Sequence, residues 1–224
     1  MSSLEETVSK MSTSPQPAKS LAIEKIKQIL GERGFIEHKD EMIPFLTEWR
    51  GFYTGDALLV VFPENVQMVS DVTKICAEAS ISIVPQGGNT NLVASASPTK
   101  EKKEIIINLE KINQIYYIDI LNKCVEVDAG VKIDDLNTSL EKDGFLFPLE
   151  MASTGSSQVG GVISTNAGGI NVLHYGSVRN NLLGLDVVLF NGKILRLGSK
   201  VVKDNTGYNL KDLFCGSEGT LGII

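Results

Sequence analysis

Residues 58–92 read LLVVFPENVQMVSDVTKICAEASISIVPQGGNTNL, and this stretch decides how the chain folds. Residues 58–62 are fully apolar and stop at Pro63, as a short buried strand does. Val66, Val69, Val72, Cys76 and Ala79 then recur at helical spacing, and residues 81–85 form a second strand-like run ending at Pro85. Strand, helix and strand over so short a span predict a parallel βαβ unit with a right-handed crossover. The loop that follows, Gln86, Gly87, Gly88, Asn89, Thr90, Asn91 and Leu92, then lies at the carboxyl end of a parallel strand, where open α/β sheets bind ligands. Adjacent glycines there can turn successive N–H groups inward as an anion nest, with the Asn89 and Thr90 side chains as further donors. Such a nest suits a pyrophosphate and needs no lysine. The same residues also make a plain tight turn, and the loop alone leaves both readings open.

Working outward, Leu21, Ile23, Ile26, Ile29 and Leu30 predict a helix over about 21–33, with Gly34 as its stop. The first 20 residues are rich in Ser, Thr and Pro, carry Glu5 and Glu6, and hold no Arg. They are expected to form a flexible tail; the pattern excludes a signal peptide and argues against a transit peptide. Beyond residues 105–108 the texture changes. Residues 115–120 and 124–129 alternate around Leu121, Asn122 and Lys123, as a half-buried antiparallel pair does. Ile133, Leu136 and Leu140 mark a helix ending at Gly144, and residues 182–190 and 193–197 flank the hairpin signal Asn191-Gly192. The expected fold is α+β in two lobes, a small parallel α/β lobe over about 21–110 and a mainly antiparallel α+β lobe over about 111–224.

The second lobe holds a second cradle. Residues 151–178, MASTGSSQVGGVISTNAGGINVLHYGSV, run for 28 positions without Asp, Glu, Lys or Arg. Their apolar runs are too short and interrupted to span a bilayer, which needs about 20 predominantly apolar residues. Gly155, Gly160, Gly161, Gly168 and Gly169 have no Cβ to hold a large polar ligand away from the backbone. Of 21 glycines, 13 follow residue 150, so the cradle belongs mostly to this lobe.

A formal net charge of −6 leaves no basic face for nucleic acid. Cys76, Cys124 and Cys215 are odd in number, far apart and without C-x-x-C spacing, so a reducing compartment is expected, and with it a cytoplasmic location. His38 and His174 are the only histidines and are not spaced as paired ligands, so no metal site is expected. His38, among Glu37, Lys39, Asp40 and Glu41, reads as a surface residue; His174 reads as a hydrogen-bonded structural histidine or as a cofactor contact. No G-x-G-x-x-G opens a helix, and neither G-x-x-x-x-G-K-[ST] nor G-x-S-x-G is present. A Ser-dependent amidase is suggested by Thr154-Gly155-Ser156-Ser157, yet its serines need a lysine, and none lies between Lys142 and Lys193.

Five blocks together carry a family resemblance. They are Val84 through Thr90, Thr165-Asn166-Ala167-Gly168-Gly169, Tyr175-Gly176, Lys203 through Leu210, and Gly216-Ser217-Glu218-Gly219-Thr220-Leu221-Gly222. In this order the chain resembles the FAD-binding domain of FAD-linked oxidases, in particular the D-2-hydroxyacid dehydrogenases, from about Trp49 onward. The resemblance implies non-covalent FAD lying between the two lobes, because the first glycine loop lacks the histidine used by relatives that bond it covalently. It implies that the pyrophosphate contacts Pro85 and the Gln86 to Leu92 loop. It places Pro148, Ser153, Ser156, Gly160 and Gly161 along the flavin and its linker, continues that wall through Asn166, Gly168, Gly169, Tyr175 and Gly176, and closes the adenine or ribityl side with Glu218, Gly219 and Ile223.

The implied reaction oxidises a small D-2-hydroxy acid to a 2-oxo acid, with hydride leaving the substrate carbon for the flavin. The base that takes the hydroxyl proton, and any metal, would belong to a C-terminal substrate or cap domain, so no catalytic residue is expected within these residues. Leu221-Gly222-Ile223-Ile224 reads as the beginning of a buried strand, and a truncated or split protein is expected. Family members carry Gly where Asn91 stands, further glycines near Ala94-Ser95, and Asp where Asn209 stands; Asn91 is expected to keep a left-handed backbone. A non-catalytic FAD-binding fragment is the main rival reading.

Overall fold

The structure is a computed structural model and describes residues 15–224. Of the tail expected over residues 1–20, residues 1–14 lie outside the described residues, and 15–20 belong to the first helix, α1 (Pro15–Leu30). Ala22 and Ile26 of α1 are buried, whereas Leu21 points to solvent. The helix stops at Gly31 rather than Gly34: Gly31 takes φ +70° and its N–H donates to the Lys27 carbonyl at 2.9 Å.

Lobe one is a four-stranded sheet. Its strands are β1 (Phe35–Ile36), β2 (Ala57–Val61), β3 (Ser82–Gln86) and β4 (Glu104–Asn108), in the order β1-β2-β4-β3. β2 and β3 both run parallel to β4, and β1 runs antiparallel to β2. The expected βαβ unit is present, but its crossover skips a place that β4 fills. All five residues of β4 are buried, as befits a central strand covered on both faces. Alternate residues Leu59, Val61, Ile105 and Ile107 face α3 (Val66–Glu78), which brings Val69, Val72 and Cys76. Val60, Val84 and Ile106 pack with Met42 and Leu46 of α2 (Lys39–Leu46). Asn65 caps α3 by accepting the Met68 N–H at 2.9 Å.

Lobe two carries two antiparallel hairpins. β5 (Ile115–Asp119) and β6 (Cys124–Val127) pair as the alternation predicts, and pack on α4 (Ile133–Glu141) through Ile115, Ile118, Val125, Leu136 and Leu140. Four short helices, α5 (Val159–Ser164), α6 (Val172–Tyr175), α7 (Val178–Asn181) and α8 (Lys211–Phe214), lie around the second hairpin, β7 (Gly184–Val188) and β8 (Ile194–Gly198). Its turn is a three-residue loop: Gly192 at φ +80° donates to the Leu189 carbonyl, so the glycine carries the left-handed position and Asn191 does not. Val188 exchanges backbone hydrogen bonds with Ile223, and both side chains enter the core of lobe one. The Ser70 hydroxyl donates to the Gly192 carbonyl, fastening α3 to this hairpin. No helix among the described residues is long and apolar enough to cross a membrane.

Candidate functional site

The C-terminal end of α2 leaves carbonyls without helical partners, and the first glycine loop uses them as anchors. The Asn89 carboxamide donates to the Thr47 carbonyl at 2.8 Å, and that of Gln86 to the carbonyls of Phe45 and Ala96 at 2.9 and 2.8 Å. Asn108 of β4 donates to Gln86 Oε1 at 3.2 Å. Thr90 and Ser157 share a hydroxyl hydrogen bond of 3.0 Å, and Ser157 a second with Ser153 at 2.8 Å. The far end of the loop is held by Arg50, which donates to the Leu92 carbonyl. Buried Glu48 positions Arg50, accepting from its Nε at 3.3 Å and from the backbone N–H of Arg50 and Phe52 at 3.0 and 2.8 Å. Burial pushes the Glu48 carboxyl up, but those donors outweigh it and hold the group below its usual range.

With its side chains spent on pinning, the loop keeps its backbone free. The N–H groups of Gly88, Asn89, Thr90 and Asn91 donate to no protein acceptor among the described residues. Asn89 takes φ +50°, the left-handed step that turns neighbouring N–H groups to one side. Asn91 does not take the expected left-handed backbone; its Oδ1 accepts the Ser95 N–H at 2.9 Å instead. Ala94 does take a left-handed backbone, at φ +57°.

These amides border a cleft of about 450 Å³ between the lobes, a size usual for ligand sites. Of the residues expected at the site, Pro85, Gln86, Gly87, Gly88, Asn89, Thr90, Asn91, Leu92, Ser153, Gly160, Gly161, Glu218, Gly219 and Ile223 line it. Pro148, Ser156, Asn166, Gly168, Gly169, Tyr175 and Gly176 do not line it. The Ser156 carbonyl packs against Gly88, and Asn166 Oδ1 accepts the Arg179 N–H at 3.0 Å. Gly169, at φ +68°, lies against the Glu150 carbonyl. Pro148, Gly168 and Gly176 border a crevice with no room for a water molecule. Tyr175 is half exposed, edge-on to the His174 ring, and His174 itself faces solvent, as does His38.

Sequence reasoning missed Ser157, Gln158, Met151 and Thr165, which also line the cleft. Small polar residues in a glycine-rich run carry no periodicity to mark them. The fit of the cleft to an extended dinucleotide rests on two features. Gly161 is helical and lines the cleft, yet beyond its chain neighbours and its own helix backbone nothing among the described residues stands within 4 Å of where its Cβ would be. Buried Gln158 has an Oε1 with no partner. Glu218 is the one ionisable side chain on the lining, and no lysine is there to serve the serines, which removes the amidase reading.

A two-lobed cleft with a lysine-free amide nest at the end of a parallel strand defines a dinucleotide-binding domain of the flavoprotein type. The chain belongs to the FAD binding domain family, whose model matches residues 57–198, and FAD is the cofactor of that domain. It is 40% identical over 198 residues to the mitochondrial D-2-hydroxyglutarate dehydrogenase of Arabidopsis thaliana, covering 88% of this chain and 35% of that one. Against the D-2-hydroxyglutarate–pyruvate transhydrogenase of Saccharomyces cerevisiae it is 42% identical over 185 residues, covering 83% and 37%. The chain thus spans little more than a third of these curated relatives. An alkyldihydroxyacetonephosphate synthase structure shares the fold, with a TM-score of 0.81 at 22% identity over 92% of this chain and 39% of that one.

The comparisons correct one expectation. D-2-hydroxyglutarate dehydrogenases of Arabidopsis, zebrafish, cattle and rat are named as mitochondrial, against the cytoplasmic location inferred above. The three cysteines are free among the described residues, and their spacing carries nothing about which organelle holds the chain.

Proposed function

We propose that the chain is the FAD-holding part of a flavin-dependent oxidoreductase that oxidises small D-2-hydroxy acids to 2-oxo acids. The observation that carries the reading is the set of unpaired amides from Gly88 to Asn91 facing a cleft whose opposite wall is bare at Gly161. Bound FAD would supply the two-electron acceptor for the oxidation. The amides hold the diphosphate by hydrogen bonds and need no cation, while Asn89, Thr90 and Gln86 keep the loop from moving. Leu109, Val162, Ile223 and Ile224 give the cleft an apolar part to its lining. With Glu218 as the only ionisable lining residue, the proton acceptor for the substrate hydroxyl comes from a further substrate domain of the kind the longer relatives have room for.

The test is FAD binding followed by anaerobic exposure to D-lactate, D-2-hydroxyglutarate and glycolate. The chain is expected to bind FAD, release it into the supernatant on acid precipitation, and leave it oxidised with all three acids. Reduction is expected only when a substrate domain is added. Reduction by the chain alone, lost in His174→Ala with FAD still bound, would place the base within these residues. A chain that binds FAD but is reduced under neither condition favours the non-catalytic fragment.

A further inference from the structure

We propose that Gln158 is a cofactor-binding residue, donating its side-chain amide to an oxygen acceptor of bound FAD, a phosphate or a ring carbonyl. The proposal rests on the flavin reading of the cleft. Gln158 is 4% exposed and lines the cleft just before α5. Its backbone is fixed, since its carbonyl accepts the Val162 N–H at 3.0 Å and its main chain bridges to Lys132. From there the side chain reaches across to lobe one, placing Oε1 3.2 Å from the point a Cβ on Gly87 would occupy.

Neither end of this carboxamide has a protein partner. Oε1 is buried without one, and Nε2 donates to no acceptor among the described residues. The other buried polar side chains on the lining are satisfied, Gln86 by α2 and Asn108, and Ser157 by Thr90 and Ser153. A methionine would fill the same slot without desolvating a polar group, so the empty protein gains nothing from an amide there. What a carboxamide offers is two N–H donors of neutral charge, suited to phosphate and carbonyl oxygens alike.

The experiment compares the 224-residue chain with Gln158→Met and Gln158→Glu, the latter equal in size but without N–H donors. Melting temperatures are measured without ligand, and affinities for FAD, ADP and riboflavin by calorimetry. Gln158→Met is expected to melt at or above the wild-type temperature and to bind FAD roughly tenfold more weakly, the worth of one buried hydrogen bond. Gln158→Glu is expected to bind more weakly still. A loss confined to ADP assigns the phosphate as acceptor, and one confined to riboflavin assigns the ring carbonyl. Unchanged FAD affinity in Gln158→Met overturns the proposal; if that variant does not fold, unchanged affinity in Gln158→Glu does so. Wild-type chain that binds no FAD instead overturns the flavin reading itself.

Discussion

The carbonyl oxygen of Ser156 lies 1.9 Å from the point that a Cβ on Gly88 would occupy, so the two glycine-rich segments touch backbone to backbone at this pair. Gly88 is therefore bare for the sake of lobe two, whereas Gly161, which lines the cleft, has open space at its Cβ position.

The two positions separate in one experiment. Gly88→Ala forces the loop off the 153–157 segment and is expected to lower stability by about 1–3 kcal/mol, in the range of overpacked cores. Gly161→Ala, inside a helix, is expected to raise the stability of the empty protein by about 0.5–1 kcal/mol while weakening FAD binding. Melting curves and flavin titrations of both variants check this; an undiminished FAD affinity in Gly161→Ala would contradict the placement of the ligand.

Stability is expected to fall on acidification in a manner traceable to Glu48. The carboxyl sits below its ordinary value of 4.5 in the folded chain, so its contribution is complete above that value and is lost as pH falls through the folded one. Glu48→Gln is expected to destabilise the chain most near pH 7, with the difference from wild type shrinking toward pH 3. Denaturant titrations across that range measure it. A gap that stays constant with pH would show that the Glu48 charge is not what holds Arg50 and the end of the loop.

Thiol labelling is expected to be selective. Cys76 is buried and its thiol is pushed up to about 12 by desolvation, while Cys215 is buried and also raised. Only Cys124, partly exposed on β6, is expected to react with a disulfide reagent in the native protein at pH 8, and all three in denaturant. Mass spectrometry of labelled peptides reads the outcome; fast native labelling of Cys76 would mean that α3 does not pack as described.

The strand, helix and strand of residues 57–86 were legible because two short apolar runs, each ending at a proline or a glycine loop, flank a stripe of period 3.6. The place of β4 was not, since a crossover to an adjacent strand and one that skips a position have the same local pattern. Helix α2 escaped because eight residues, KDEMIPFL, with all three charges at one end and Pro44 inside, show little periodicity. Its absence from the sequence reading had a consequence at the site: Asn89 looked like a ligand donor while the Thr47 carbonyl it serves at the end of α2 was out of view, and Thr90 did so because its partner Ser157 lies in the other lobe. The glycine loop's place after a parallel strand was readable, but of the second run's five glycines only Gly160 and Gly161 line the cleft, and Tyr175, Asn166 and Gly169 follow family blocks whose contacts here are with the protein's own backbone and side chains. Gln158 and Ser157 had no signature beyond polarity inside an uncharged run.

The late arrival of β4 sets a timetable for synthesis. β2 and β3 leave the ribosome first, but neither pairs with the other; both wait for residues 104–108 to slot between them. Until then Gln86 has no Asn108, and until Ser157 emerges some fifty residues later still, Thr90 has nothing to hold. A nascent chain therefore cannot pin its glycine loop before residues 104–108 and Ser157 have been made, and the cleft has its full lining only once Glu218, Gly219 and Ile223 have followed.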